Sequence, residues 1–235
     1  MKEGSGGMRA VLIPVKDLTR AKQRMASLFT QAERTRLAWA MMEHVFGEVI
    51  RAKGWDRVFV VTAYEPAARL ARSLRMEVIE EKSQVSESQS VDYASRLCRG
   101  RGVRSLLRVP IDLPLLEAKD MEALLARCGP APSALLVPSR DGDGTNALLR
   151  TPPDLFPSRF GPGSFQKHLR EAACVGARAE VVRLSSFTFD VDEPQDLVHV
   201  LKRGQGTPLF ELLDRMDAPA RLRAASSTSV GSRAT

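Results

Sequence analysis

Long apolar runs are missing from this chain of 235 residues. No stretch of about 18 consecutive apolar residues occurs, and the opening segment MKEGSGG has no apolar core of the kind that a secretory signal needs. A membrane span and a secreted protein are therefore not expected, and we predict a soluble cytoplasmic protein. Met8 directly precedes the first strand-like run, so residues 1–7 are predicted to form a loose arm outside the fold.

Cysteine and aromatic residues are scarce as well. Cys98, Cys128 and Cys174 lie far apart and form no C-x-x-C pair, which argues against a disulfide framework and against a thiolate zinc site. Aromatic residues make up 6% of the chain and are not interleaved with basic residues, as they are in proteins that stack the bases of single-stranded RNA. A non-catalytic RNA-binding domain is therefore disfavoured, and it stays as an alternative that a salt-dependent RNA shift assay would test.

The formal net charge of the chain is +7 at pH 7. Part of the excess lies in the C-terminal segment PARLRAASSTSVGSRAT, which is rich in Ser, Ala and Arg and has no apolar periodicity. We predict that residues 219–235 are disordered. The remaining positive charge suits an anionic small substrate as well as nucleic acid, so charge alone does not choose between them.

Strand-like and helix-like segments alternate over the first half of the chain, which is the pattern of βαβ units. The clearest helix covers residues 31–51, where apolar residues recur at helical spacing behind a capping-box pair, Thr30 and Glu33. Further helices are predicted near 65–74, 88–99, 117–127, 165–175, 194–203 and 207–216. The predicted strands are 9–15, 56–63, 75–80, 104–110, 133–139, 147–151, 179–184 and 187–192.

These elements predict a single α/β domain over residues 9–216, with helices on both faces of a mainly parallel sheet. Ligands bind such sheets at the carboxyl ends of the strands. The common nucleotide signatures are absent, because no G-x-G-x-x-G follows the first strand and no G-x-x-x-x-G-K-[ST] occurs. Any nucleotide must therefore be held in another way.

The segment after the first strand, PVKDLTRAKQRM, is rich in basic residues. Lys16, Lys22 and Arg24 lie within nine residues of one another. Such a segment can place several cationic donors around a triphosphate. The alternative is a solvated basic loop without a ligand.

Three aspartates are candidates for a metal site. Asp112 follows the predicted strand SLLRV, and Asp190 and Asp192 close the predicted strand FTFDVD. Because side chains alternate along a strand, Asp190 and Asp192 are expected to point to one face and to reach one hard cation such as Mg²⁺. The alternatives are that Asp192 caps a helix at DEPQ and that Asp112 is a cap or turn residue.

The segment VPSRDGDGTNALLR places six residues, 141–146, between two predicted strands. A plain hairpin loop, a calcium loop and a binding loop for a phosphorylated substrate are the competing interpretations. An EF-hand loop beginning at Asp141 would need glycine at its sixth position and glutamate at its twelfth, but the chain has Asn146 and Pro152 there. Calcium is therefore disfavoured, and Thr145 offers a hydroxyl and an amide to a ligand at the edge of the loop.

A second glycine-containing segment, FGPGSF, precedes the predicted helix 165–175. Ser164 is expected to cap this helix, whose free backbone amides suit a carboxylate or a phosphate. A turn followed by an ordinary cap is the alternative. His168 lies in the same helix and is expected mainly to pack, although it could titrate near a phosphate.

The chain contains, in this order, the motifs IPVKDLTRAKQRM, ERTRLAWAMMEHV, DLPLL, DGDGTNALL, FGPGSFQKH and FDVDEPQDL. In this combination they resemble the 2-phospho-L-lactate guanylyltransferase (CofC) family, which includes phosphoenolpyruvate guanylyltransferases. The resemblance covers about residues 9–200. The last three motifs are specific in combination, whereas the first three also fit the wider group of molybdenum-cofactor-type nucleotidyltransferases.

The resemblance implies a three-layer α/β/α nucleotidyltransferase fold of the nucleotide-diphospho-sugar transferase type. It implies an enzyme that joins the GMP part of GTP to a phosphorylated three-carbon acid and releases pyrophosphate, in the biosynthesis of the deazaflavin coenzyme F-420. The candidate acids are phosphoenolpyruvate, 2-phospho-L-lactate and 3-phosphoglycerate. No nucleic acid or membrane partner is expected, and the resemblance leaves open a homodimer and delivery of the labile product to the next enzyme of the pathway.

The resemblance also implies roles for particular residues. The implied catalytic residues are Lys22, Asp112, Asp190 and Asp192, of which the three aspartates would hold Mg²⁺. The residues implied to face the nucleotide phosphates are Lys16, Lys22 and Arg24. The residues implied to contact the acid are Thr145, Gly161 and Ser164.

The chain departs from the family pattern on the side expected for the nucleotide. It has Tyr64 in TAYEP where the family usually has an aspartate, and residues 90–92 read Ser-Val-Asp where Gly-Leu-Asn is usual. Ile111 stands where a small residue is usual. The alternatives left open are a nucleotidyltransferase with another nucleotide or acceptor, a sugar-nucleotide glycosyltransferase, and a non-catalytic nucleotide-binding scaffold.

Overall fold

A computed structural model describes residues 7–231, so the predicted arm 1–7 lies outside the described residues except for Gly7. Seven strands form one sheet. They are β1 (Met8–Pro14), β2 (Arg57–Thr62), β3 (Glu77–Glu80), β4 (Val103–Arg108), β5 (Ser133–Pro138), β6 (Thr145–Thr151) and β7 (Arg178–Val181). Their order is β3-β2-β1-β4-β6-β5-β7, and β6 runs antiparallel to both neighbours while the other pairs are parallel. The predicted mainly parallel mixed sheet is confirmed.

Eight α-helices lie within the described residues. They are α1 (Gln31–Arg51), α2 (Glu65–Ser73), α3 (Glu87–Gly100), α4 (Ala118–Ala126), α5 (Ser164–Cys174), α6 (Asp196–Arg203), α7 (Pro208–Arg215) and α8 (Ala218–Gly231). The first seven coincide with the predicted helices, with ends that shift by a residue or two, and α8 was not predicted. None of these helices combines the length and the apolar composition that a bilayer span needs.

Helix α1 forms where its capping signal predicts. The Thr30 hydroxyl accepts a hydrogen bond from the Glu33 amide, and the Glu33 carboxylate accepts one from the Thr30 amide. Its apolar face is buried, and each large side chain there contributes about 1.5–3 kcal/mol of burial free energy. The buried apolar residues of α1 are Leu37, Ala38, Ala40, Met41, Met42, Val45, Phe46 and Val49.

The sheet is covered on both faces. On β1, Val11 and Ile13 pack into the cluster formed with α1, α2 and α4, whereas Ala10 and Leu12 pack against α3. Because both faces of the strand are buried, its sequence is a continuous apolar run and does not alternate. The result is the predicted three-layer α/β/α arrangement, with α5 packed on the same face as α3 further along the sheet.

The chain order reverses between β1 and β4, the two central strands. β1 is followed by β2 and β3 on one side, and the chain then returns to place β4 on the other side. Loops on either side of such a reversal separate at the carboxyl ends of the strands and leave a crevice. The hairpin loop between β5 and β6 opens at the same edge, since β6 begins where β5 ends.

The prediction of a strand over residues 187–192 is wrong. A 3₁₀ turn covers Ser185–Phe187, and no strand follows it before α6. A long-range backbone hydrogen bond holds the segment instead, from the Val191 amide to the Asp112 carbonyl (3.1 Å). The apolar residues that suggested a strand, Phe187 and Val191, are buried in two different core clusters and not side by side in a sheet.

The prediction of disorder from residue 219 is also wrong, because α8 covers Ala218–Gly231. Ala218 is fully buried, and the guanidinium of Arg221 donates to the Leu28 carbonyl (3.1 Å) and to Glu33 (2.9 Å). Leu222 packs against the same cluster as Ala218, and these few contacts leave no apolar period in the sequence. The folded region therefore extends beyond residue 216, and residues 232–235 lie outside the described part.

Candidate active site

One cleft of about 600 Å³ is lined by all nine residues that the sequence motifs assign to catalysis or substrate binding. The cleft lies at the carboxyl edge of the sheet, where β1 and β4 end. Loops from distant parts of the chain meet there, so the sheet topology brings the residues together. They are Lys16, Lys22, Arg24, Asp112, Thr145, Gly161, Ser164, Asp190 and Asp192.

Lys22 lies at the centre of the acidic residues. Its backbone adopts the left-handed conformation (φ 52°, ψ 46°) just before a 3₁₀ turn, and its side chain is 10% exposed. The ammonium donates to Asp192 (2.9 Å) and to Asp112 (3.3 Å). Burial disfavours its charged form, but the two carboxylates outweigh burial and raise the pKa of Lys22. Lys22 therefore carries its charge at neutral pH.

Asp190 and Asp192 differ in their electrostatic surroundings. Burial and the nearby charge of Asp112 raise the pKa of Asp190, although the side-chain amide of Asn146 donates to it (3.2 Å). Burial also acts to raise the pKa of Asp192, but the charges of Lys22 and Arg24 lower it. Asp190 thus lacks the cationic partner that Asp192 has, and its ionised form is destabilised.

The segment 190–192, which contains Asp190 and Asp192, is not held in place by a strand as predicted. Val191 is 2% exposed and its amide is bonded to the Asp112 carbonyl, so this residue holds the segment against the loop after β4. Asp192 is not a helix cap, because α6 begins at Asp196. The Asp196 carboxylate instead accepts from the backbone amides of Asp192 (3.0 Å) and Glu193 (2.8 Å).

The predicted magnesium ligands are not arranged as a finished metal site. Within residues 7–231, no three acidic, histidine or cysteine side chains converge as metal ligands. The ammonium of Lys22 takes the position between Asp112 and Asp192. The donor set still suits a hard cation, because it consists of carboxylate oxygens and because the raised pKa of Asp190 indicates uncompensated negative charge.

The basic segment forms one wall of the cleft. Lys16 and Arg24 are exposed, and Arg24 pairs with Glu193 (3.2 Å). Asp17 caps a 3₁₀ turn in this segment by accepting from the Thr19 amide (2.8 Å). The segment therefore has a defined backbone that presents its cations to the cleft.

The loop between β5 and β6 is a hairpin loop closed by its own side chains. The Ser139 hydroxyl accepts from the Gly144 amide (2.7 Å), and Asp141 accepts from the Asp143 amide (3.0 Å). The hydrogen bond from Ser139 is the main reason that the pKa of Asp141 is lowered. A Cβ atom on Gly144 would lie 2.9 Å from the Ser139 hydroxyl, so this position requires glycine.

Asp143 joins this loop to the start of α5. Its carboxylate accepts from the Gly163 amide (2.8 Å), and its carbonyl accepts from the Phe165 amide (3.0 Å). The expectation that Ser164 caps α5 is wrong, because Ser164 is the first helical residue and follows Gly163 in the left-handed conformation (φ 68°). The sequence could not identify Asp143 as the cap, since its partners lie 20 residues away.

The Thr145 hydroxyl is held by a buried histidine and by Ser164. The Arg159 amide donates to His168 Nε2 (2.8 Å), and a backbone amide can only donate, so the ring proton is on Nδ1. Nδ1 therefore donates to the Thr145 hydroxyl (3.0 Å), which also accepts from Ser164 (3.3 Å). With both acceptor positions used, the hydrogen of the Thr145 hydroxyl is available to a ligand in the cleft.

His168 is neutral in this network. Burial, followed by the charges of Arg150, Arg108, Arg159 and Lys167, lowers its pKa to about 3. The expectation that it packs is confirmed, because it is fully buried against Phe160 and Phe156. It also positions Thr145, which the sequence did not indicate.

Of the residues that depart from the family pattern, Ile111 lines this cleft, and Tyr64 and residues 90–92 do not. The Ser90 hydroxyl donates to Glu81 (2.9 Å), and the Asp92 carboxylate accepts from the Ser158 amide (3.0 Å). Among the lining residues that the sequence did not assign to the site are Glu87, Arg108, Asn146 and Phe160.

The α/β/α fold of this chain is shared with solved structures of nucleotide-handling transferases. The chain superposes on the structure of a proposed nucleotide-diphospho-sugar transferase from Desulfovibrio desulfuricans G20 with a TM-score of 0.73. The alignment covers 92% of this chain and 97% of that chain at 15% identity. At this identity the similarity establishes the fold.

The particular family follows from the sequence comparisons. The family described as "Guanylyl transferase CofC like" matches residues 8–231, and the chain belongs to this family. It is therefore an enzyme of the nucleotidyltransferase class, and the resemblance noted from its motifs is confirmed.

Three curated relatives illustrate the range of the family. A phosphoenolpyruvate guanylyltransferase of Rubrobacter xylanophilus is 37% identical over 82% of this chain and 93% of the relative. A 2-phospho-L-lactate guanylyltransferase of Methanothermobacter thermautotrophicus is 31% identical over 87% and 89%. A 3-phospho-D-glycerate guanylyltransferase of Colwellia psychrerythraea is 32% identical over 80% and 88%. Members similar to this chain thus share guanylyl transfer and differ in the acid.

Proposed function

We propose that this enzyme transfers the guanylyl group of GTP to a phosphorylated three-carbon acid and releases pyrophosphate, in the biosynthesis of coenzyme F-420. Phosphoenolpyruvate is the first candidate, because the relative that is 37% identical bears that name. 2-Phospho-L-lactate and 3-phosphoglycerate are the other two. The observation that carries the proposal is the division of the cleft into a basic wall, an acidic centre around Lys22, and a wall of neutral donors at Thr145 and Ser164.

This division matches the two substrates. A triphosphate has several negative charges and suits the wall with Lys16 and Arg24. The smaller acid suits the wall with Thr145 and Ser164, where the hydroxyl hydrogen of Thr145 is available. The acid phosphate then meets the α-phosphorus of GTP near Lys22, between the two walls.

The reaction forms one bond and breaks one bond at the α-phosphorus. A phosphate oxygen of the acid attacks this atom, and the bridging oxygen to the β-phosphorus leaves with pyrophosphate. The attacking phosphate is already mostly ionised at neutral pH, so no side chain has to remove a proton. Catalysis then consists of alignment and compensation of charge.

Asp112, Asp190 and Asp192 would hold Mg²⁺, which when bound neutralises phosphate charge during transfer. Their carboxylate oxygens are the ligands that this cation prefers. Lys22 remains charged because its pKa is raised, so it serves as an electrostatic residue and not as a base. Asn146 holds Asp190 in place through its side-chain amide (3.2 Å).

The test offers each of GTP, ATP, CTP and UTP with magnesium and each of the three acids, and measures pyrophosphate release and product mass. We expect product from GTP with at least one of the acids. A product that contains another nucleotide would contradict the assignment of guanine. Tight GTP binding without turnover of any acid would instead indicate a non-catalytic member of the family.

A further inference from the structure

Arg108 is a buried cation in the cleft, and the proposed reaction assigns it no contact with either substrate. It is the last residue of β4, and its side chain is 6% exposed. One terminal nitrogen of the guanidinium donates to the Thr145 carbonyl (3.1 Å), and the other pairs with Glu87. The guanidinium carbon lies 4.2 Å from the centre of the Phe160 ring. Three fixed contacts therefore hold this cation beside Thr145.

The proposed acid-binding wall needs such a charge. Its three residues Thr145, Gly161 and Ser164 are neutral, whereas the acid has two anionic groups. The phosphate of the acid must face the α-phosphorus near Lys22, so the carboxylate must lie elsewhere. Lys22 is already shared by Asp112 and Asp192. Arg108, which touches Thr145 directly, is the cation placed to receive the carboxylate.

The two members of the Arg108–Glu87 pair differ in how firmly they are held. Arg108 is fixed by the Thr145 carbonyl and by the Phe160 ring, while Glu87, the first residue of α3, is 24% exposed. An arginine presents several N–H donors in one plane, which match the two oxygens of a carboxylate. A buried arginine without an anionic partner is costly, and Glu87 supplies that partner when no substrate is present.

We propose that Arg108 binds the carboxylate of the acid substrate and that Glu87 occupies the guanidinium until the acid displaces it. The proposal rests on the proposed function, because it assumes that the acid binds on the Thr145 side. Arg108 is then a substrate-binding residue. Glu87 competes with the acid for the guanidinium, so the strength of the Arg108–Glu87 pair sets the KM for the acid. Selection against substrates that lack a carboxylate follows from the same contact.

The decisive variant is Glu87→Gln, because it keeps the shape and the hydrogen-bonding capacity of the side chain but removes its charge. It is expected to lower the KM for the acid about threefold to tenfold, with the KM for the nucleotide unchanged. If Glu87 had only a structural role, removing its charge would not make the acid bind more tightly. The matched control is Glu77→Gln, which removes the charge of a partly exposed glutamate paired with Arg57 (2.8 Å) and Arg101 (3.5 Å) outside the cleft lining.

Arg108→Gln is expected to raise the KM for the acid roughly tenfold to hundredfold, because the carboxylate of the acid loses its charged hydrogen-bond donor. This variant leaves the partly buried Glu87 without its cationic partner and can therefore lower the stability of the fold. The double variant Arg108→Gln/Glu87→Gln removes both charges, and it is expected to keep the Tm near that of the wild type while the high KM for the acid remains. Arg108→Lys, which keeps the charge but loses the planar donors, should lie between the wild type and Arg108→Gln.

Calorimetric titration of phosphoenolpyruvate, 2-phospho-L-lactate and 3-phosphoglycerate into each variant separates this proposal from the proposed function. Wild type that binds an acid but releases no pyrophosphate with any nucleotide contradicts the proposed function alone, and the affinity shift in Glu87→Gln then tests Arg108 directly. Unchanged acid affinity in both Glu87→Gln and the double variant overturns the role of Arg108. If the Arg108 variants raise the KM for GTP and leave the KM for the acid unchanged, the proposed role of Arg108 is also overturned. Arg108 is then assigned to the nucleotide. Failure of the wild type to bind any of the three acids contradicts both.

Discussion

Lys22 shows how the properties of one residue depend on contacts that are remote in sequence. Its partners Asp112 and Asp192 lie 90 and 170 positions away, and their charges outweigh the effect of burial on its pKa. The motif around Lys22 predicted a cation that faces phosphates. In the structure this cation lies between two carboxylates, so it can compensate charge on both a phosphate and the acidic group.

Asp190→Asn tests the acidic group. We expect the variant to lose magnesium-dependent turnover by at least about 100-fold, because one anionic ligand is removed from the charge compensation of the reaction. The Tm should stay the same or rise, since burial and Asp112 already disfavour the ionised form of Asp190. Asp154→Asn, at a partly buried aspartate paired with Arg99 (2.6 Å) outside the cleft lining, serves as the control. Turnover like that of the wild type, or full activity in a chelator, would remove Asp190 from the metal site.

Thr145→Val tests the acid-binding wall. The change removes the hydroxyl, and we expect kcat/KM for the acid to fall roughly tenfold to hundredfold while the KM for GTP is unchanged. The Tm should fall as well, because the buried Nδ1–H of His168 loses its acceptor. Thr145→Ser keeps the hydroxyl and should retain most of the activity and stability. An acid saturation curve of Thr145→Val that matches the wild type would exclude this residue from the site.

His168 predicts a pH dependence of stability. Its ordinary pKa is near 6.5 and its pKa in the folded protein is about 3, so below pH 6.5 the unfolded chain binds a proton that the folded protein does not. The contribution is fully present above pH 6.5 and is lost as the pH falls toward 3. We therefore expect the difference in Tm between wild type and His168→Gln to shrink from pH 7 to pH 5. A constant or growing difference would contradict a depressed pKa.

At the scale of secondary-structure elements, most of the fold was predicted from local patterns. The seven helices that were predicted formed because caps and apolar periodicity act within a few residues, as the Thr30–Glu33 capping box shows. The errors lie where long-range contacts decide. The segment 187–192 was predicted to be a strand from its apolar residues. Helix α8 was missed because the residues that attach it, Ala218, Arg221 and Leu222, are too few to give an apolar period.

Helix α8 yields a prediction about stability. Its first turn covers the cluster that contains Leu209 and Leu213, so truncation after Asp217 is expected to lower the Tm by several degrees. Arg221→Ala should have a smaller effect, because this side chain is partly exposed. Truncation after Gly231 leaves the helix intact and serves as the control. An unchanged Tm on truncation after Asp217 would mean that α8 adds nothing to the stability of the domain.

At the scale of the whole molecule, the order of the strands creates the site. The basic segment follows β1, Asp112 and Arg108 belong to the end of β4, and Thr145 begins β6, so each wall comes from a different part of the sheet. Because the strand order reverses between β1 and β4, these loops separate and leave the cleft between them. The excess of basic residues then favours anionic substrates.

This charge predicts a dependence on salt. Lys16 and Arg24 are exposed, and salt screens exposed charges, so raising NaCl from about 50 to about 500 mM should lower kcat/KM for GTP several-fold. The kcat should change less, because the side chain of Lys22 is only 10% exposed. Lys16→Gln/Arg24→Gln should reduce the salt effect on kcat/KM. An equal salt effect in this variant would show that other residues attract the nucleotide.

The sequence by itself determined the alternation of strands and helices, the helix caps, and the motifs that placed the chain near the CofC family. It also identified nine residues that line one cleft, because motifs at strand ends are brought to the same edge of a parallel sheet. Only the tertiary structure decided the position of Lys22 between the aspartates, the cap of α5 by Asp143, the proton of His168, and the pair of Arg108 with Glu87. The physical reason is that each of these depends on the distance and direction between charged or polar groups from remote segments, and local periodicity does not specify either.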